Sequence, residues 1–127
     1  VMYLFLDNTA TEELVFFVSE DGRSFREYRK ISEAEGGIPQ ALSEILLAEK
    51  LKLADLAGIA VRVGVGRFTA TRVAVVFANT MAYALQLPVA AVHSSEPSEA
   101  FKILMSTPKG KYILAEYSAE PRIGKKI

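Results

Sequence analysis

The stretch VGVGRFTATRVAVVFANTMAYAL, from Val63 to Leu85, narrows the folds open to this chain more than any other. It opens with Gly64 and Gly66, one residue apart, and continues as an apolar run with Ala70, Ala74, Ala78 and Ala82 at every fourth position. Such a run predicts a helix over 68–86. A helix that is apolar on nearly all sides has to be buried on nearly all sides. A spacing of four keeps the alanines near one side of it, drifting slowly round. Opposite them stand Val73, Val76, Phe77 and Leu87, which are expected to pack on a sheet. One sheet and one neighbouring helix cover only part of such a surface. Two readings stay open for the rest. In one, the alanines, with Thr71 beside them and Leu47 and Leu51 of the preceding helix, meet a partner chain at close range. In the other, the chain's own C-terminal segment covers them.

The remaining sequence supplies that sheet. Met2 to Leu6 is a continuous apolar run, as in a strand buried on both faces, and Leu14 to Ser19 is rich in β-branched and aromatic residues. EDGR after Ser19 reads as a hairpin turn, and the more polar Phe25 to Ile31 as an edge strand. GGIPQALSEILLAEKLKL switches to helical spacing, with Ile38, Leu42, Ile45 and Leu46 on one face and Pro39 in the first turn. LAGIAVRV and LPVAAV predict two more strands. A third helix is expected over 96–106, with Pro97 in its first turn and Ser94 or Ser95 as its cap. KYILAEYS predicts a last strand. The order β-β-β-α-β-α-β, then α, is an α/β arrangement: a mixed five-stranded sheet with helices on its faces. It is the order of a single ribonuclease H-like, or actin-like ATPase, domain, expected over 1–118 with a tail over 119–127.

Composition removes several function classes. Fifteen Lys and Arg balance fifteen Asp and Glu, which argues against strong unaided binding to nucleic acid or to anionic membranes. With no cysteine in the chain, disulfides, thiol catalysis and thiolate metal sites are excluded. No apolar run reaches the roughly 20 uninterrupted residues of a membrane helix, and MYLFLD has no basic region before it, so a cytoplasmic protein without a membrane role is expected. Asp7, at the end of the first strand, is either a metal–phosphate ligand or a turn aspartate that accepts backbone N–H bonds. Glu12, Glu13, Asp21 and Asp55 fall in turns and do not gather into a two-metal carboxylate set. GVGRFT at Gly64–Thr69 is either a phosphate nest at a helix start or a tight turn. It lacks the lysine of a P-loop, and Thr69 stands where G-x-G-x-x-G needs its third glycine. His93, the only histidine, has no partner for a zinc motif or a triad. A small nucleotide- or metal-dependent phosphotransferase or nuclease, using Asp7 and the Gly64–Gly66 turn, remains the enzymatic alternative, and a domain that only homodimerises is a third reading.

FLDNTATEELVFFVSEDG and IAVRVGVGRFTATRVAVVFANTMAYALQLPVAAVHS resemble the TsaB (YeaZ) family, partner subunits in bacterial threonylcarbamoyladenosine (t6A) synthesis on tRNA. Gly64, Gly66, Phe68, Thr69, Arg72, Ala82 and Pro88 match its hallmark, G-x-G-P-G-S-F-T-G-L/V-R-I-G…A-x-G-L-A, and the proline that follows it. Val65, Arg67 and Ala70 depart from it, and SEAEGGIPQ replaces the family's histidine-containing segment. The resemblance covers about residues 2–95. It implies an actin-like domain where relatives usually carry two, and so an incomplete nucleotide cleft, no cofactor and no chemistry of its own. The family's glycoprotease label finds no protease machinery here. It further implies contact with a TsaD-type carbamoyltransferase subunit, or with a second copy in isolation, through the first two helices: Leu47, Leu51, Ala70, Thr71, Ala74, Ala78 and Ala82. TsaE and tRNA would be met only within the complex. Asp7, Gly64, Gly66 and Thr69 would then be a vestigial phosphate- or metal-type position.

Overall fold

In β1 (Met2–Asp7), the even positions Met2, Leu4 and Leu6 face one side of a sheet, and Tyr3 and Phe5 the other. Both sides are buried because helices cover both, as the uninterrupted apolar run requires. The computed structural model describes residues 1–10, 12–31, 36–66 and 68–115. β2 (Glu13–Ser19) and β3 (Arg26–Ile31) follow as an antiparallel meander. After α1 (Gly37–Glu49), β4 (Leu56–Arg62) lies parallel to β1; after α2 (Phe68–Leu85), β5 (Val89–Val92) lies parallel to β4. The sheet order is β3-β2-β1-β4-β5, and α3 (Pro97–Met105) is the last element among the described residues. The mixed five-stranded α/β sheet expected from the sequence is the sheet observed.

The two faces differ. α1 and α2 lie over the larger core, where Leu4, Leu6, Phe16, Ile59 and Val61 meet Ile38, Ile45, Ala74 and Ala78. α3 covers the smaller one, where Phe101 and Leu104 pack on Phe5, Ala60 and Val92. The β2–β3 turn forms as its residues dictate: Gly22 has φ 80°, and the Asp21 carboxylate accepts from the Arg23 and Ser24 amides at 2.8 and 3.0 Å. Pro97 opens α3 as expected, but Glu96 is its cap residue, while Ser94 Oγ accepts from the Glu96 amide at 2.9 Å.

The expected last strand is not formed over its described part. Lys111–Ala115 pairs with no strand there; instead the Asn79 side chain donates to the Ile113 carbonyl at 2.9 Å and accepts from its amide at 3.0 Å. One side-chain amide thus stands in for a neighbouring strand. The rest of that expected strand and the tail at 119–127 lie outside the described residues. No helix among the described residues is long and apolar enough to cross a membrane.

Candidate functional site

The parallel strands β1 and β4 end at the same side of the sheet and bring Asp7 and Arg62 together, while His93 follows β5 and lies beside Gly64. Asp7 and Arg62 terminate neighbouring strands in register. The Asp7 carboxylate accepts from Arg62 Nη1 at 3.1 Å, and from the Thr9 hydroxyl and amide at 2.6 and 3.1 Å. Arg62 Nη1 also reaches Thr9 Oγ1 at 3.3 Å, and its Nε is buried with no hydrogen-bond partner among the described residues. Asp7 thus accepts a backbone N–H, as the turn-aspartate reading expects, and its carboxylate is paired with Arg62. No cluster of three or more His, Asp or Glu suited to a metal occurs among the described residues.

The glycine turn closes on this cluster. Gly64 and Gly66 have φ 92° and 89°, a region that L side chains avoid. A Cβ on Gly64 would stand 2.7 Å from His93 Cδ2, and one on Gly66 2.9 Å from Thr9 Cα. Thr71 Oγ1 points back to the Val65 carbonyl at 3.4 Å, and Asn8 Nδ2 donates to the Ala70 carbonyl at 3.0 Å, pinning the first strand's loop to the start of α2. The glycines therefore let backbone and side chains crowd. Sequence reasoning missed Asn8 and Arg62; the signal for Arg62 was a lone charge inside the otherwise apolar LAGIAVR.

The second candidate surface is the outer side of α1 and α2, and here the structure reverses an expectation. Ala74, Ala78 and Ala82 are 1%, 0% and 2% exposed, and Ala70 and Thr71 are also buried. Ala74, Ala78 and Ala82 belong to the larger core, and none of the five is exposed surface of α2. Leu51 is half-buried against the same core. Val73, Val76 and Tyr83, two of which were expected on the sheet, are instead 49%, 59% and 68% exposed. Of the expected interface set, Leu47 alone is fully open, at 80% exposure. The described part of the C-terminal segment, up to Ala115, runs beside Asn79 and Tyr83, with the Tyr83 and Tyr112 rings 6.4 Å apart, and Leu47 stays open to it. Between the start of α1 and α2 lies a groove of about 470 Å³, lined by Ile38, Pro39, Thr69, Arg72, Val73, Val76 and Phe77.

Both helices fall inside the segment that comparison with known families picks out. Residues 35–104 match the model of TsaD, tRNA N6-adenosine threonylcarbamoyltransferase. The chain belongs to the TsaD family. Within that family it is YeaZ-like. YeaZ from Pseudomonas aeruginosa superposes with a TM-score of 0.62 at 27% identity, over 72% of this chain and 42% of that one. An uncharacterised protein with similarity to the peptidase YeaZ, also from Pseudomonas aeruginosa, gives 0.60 at 29% identity over the same shares. The chain thus spans less than half the length of these YeaZ structures. No curated protein matches it. The shared TsaD-family fold is the actin-like one that the order of elements suggested.

Proposed function

We propose that this chain is a non-catalytic scaffold in t6A modification of tRNA, which binds and stabilises a TsaD-type subunit through the outer faces of α1 and α2. The observation that carries the reading is the apolar surface of Val73, Val76 and Tyr83 beside the α1–α2 groove, within the segment that matches the family. Contiguous exposed apolar surface marks an interaction site, and exposed helix faces pack by ridges into grooves at interaxial distances of roughly 8–10 Å. The paired Asp7 supports a role without chemistry, since its oxygens already accept from Arg62 and Thr9. In this reading tRNA and a TsaE-type protein are reached through the partner, and a second copy occupies the same helices when the partner is absent.

Co-purification with the TsaD-type protein of the same organism, followed by sizing in solution, tests the proposal. A one-to-one complex that Val76→Asp abolishes is the expected result. A chain that ignores that protein, or a complex indifferent to Val76→Asp, overturns it.

A further inference from the structure

The segment Lys111–Ala115 lies across one flank of α2, outside the residues 35–104 that the family model matches. Its anchor is Asn79, whose two hydrogen bonds to Ile113 satisfy one donor and one acceptor of an extended backbone. Ile113 and Ala115 turn inward against the larger core, while Tyr112 and Leu114 stay 49% and 80% exposed. Residues three and four apart on a helix are neighbours, so Asn79 adjoins both Val76 and Tyr83. A backbone bonded to the end of an asparagine lies roughly 8–9 Å from the helix axis, which is the distance at which a packed helix would run. The segment therefore occupies the layer that a partner helix on this flank would need.

We propose that Lys111–Ala115 is a detachable cover that competes in cis with the partner helix for α2, an inference that rests on the scaffold reading above. Among the described residues its hold is modest: the two hydrogen bonds of one side chain, two half-buried residues and one tilted ring pair. A partner that shields Val76 and Tyr83 gains more apolar burial than this cover, whose own outward side chains remain wet.

The test uses the full chain with Asn79→Asp, which sets a carboxylate against the Ile113 carbonyl, and separately with Ile113→Asp, which leaves α2 untouched. Amide exchange at 111–115 reports release, and titration with the TsaD-type subunit reports affinity. Faster exchange in both variants, with binding tighter by roughly tenfold, the weight of one or two net hydrogen bonds, is expected. Unchanged exchange overturns Asn79 as the anchor. Release with unchanged affinity overturns the competition, and release with weaker binding shows the segment to be part of the interface instead. If neither wild type nor variants bind that subunit, the scaffold reading falls first, and the cover's role with it.

Discussion

Asp7 and Arg62 form an ion pair 3.1 Å long across the ends of two parallel strands, with side chains only 13% and 23% exposed. In this position a free carboxylate would be a ligand for metal or phosphate chemistry, whereas a paired one is a brace. Removing one partner of a part-buried pair leaves the other uncompensated, which costs more than the net worth of the pair. Arg62→Met is expected to lower stability by about 1–3 kcal/mol, and Asp7→Asn/Arg62→Met to recover part of that loss, as read by urea denaturation. Calorimetry with ATP and magnesium is expected to show no binding tighter than about 100 μM, or roughly −5.5 kcal/mol. Tighter binding that Asp7→Ala abolishes would revive the phosphotransferase or nuclease alternative.

The glycine turn yields a graded prediction. Both glycines adopt positive φ, so alanine at either carries roughly 1 kcal/mol of backbone strain. The added methyl then meets different obstacles. At Gly64 it meets the ring of His93, an exposed side chain; at Gly66 it meets the backbone of Thr9, which cannot move alone. Gly66→Ala is therefore expected to cost more than Gly64→Ala, by about 1–2 kcal/mol. Equal melting temperatures for the two variants would show that the Thr9 loop yields as easily as a side chain.

The order and type of the elements were legible because apolar runs, helical spacing and the Asp–Gly turn all agreed locally. The sidedness of α2 was not. Size suggested that Val73, Val76, Phe77 and Leu87 would fill the core and that the alanines would be left for a partner; Phe77 and Leu87 do pack partly on the core, but Val73 and Val76 are exposed. The strands already supply the bulk there, through Leu4, Leu6, Phe16 and Ile59. A helix lying close over such a sheet needs small residues beneath it, and the alanines provide them. Arg62 acts through contacts 53 and 55 residues away and Asn8 through one 62 residues away, which no local pattern shows. The last strand is absent over its described part for a similar reason, since the pairing that Ile113 finds is with a side chain of α2.

This sidedness separates two kinds of variant on one helix. Ala78 is fully buried, so Ala78→Leu forces bulk between α2 and the sheet and is expected to cost about 1–3 kcal/mol. Val76 is 59% exposed, and Val76→Ser is expected to change stability by less than about 0.5 kcal/mol while weakening partner binding. Thermal melts alongside pull-downs check the pair. A Val76→Ser protein that melts early, or an Ala78→Leu protein that melts normally, would mean that α2 is turned the other way.

Glu49, at the end of α1, ties that helix to the edge strand β3. Its carboxylate accepts from Arg26 Nε and Nη2 at 2.8 and 2.7 Å, and from the Tyr28 hydroxyl. The Arg26 guanidinium holds the Glu49 carboxyl below its ordinary value of about 4.5 despite partial burial, with the Tyr28 hydrogen bond assisting. A carboxyl depressed in the folded state stabilises the fold fully above its unfolded pKa and loses that contribution as pH falls through the folded one. Stability should therefore hold at neutral pH and decline below about pH 4.5 as Glu49 is protonated. Glu49→Gln is expected to cost about 1–2 kcal/mol at pH 7, a figure kept low because Arg26 is 44% exposed. The variant should approach wild-type stability in acid, since both then carry an uncharged group at this position. Denaturation curves at pH 7 and pH 3 decide the matter: an equal gap between the two proteins at both values would assign the effect to packing rather than to charge.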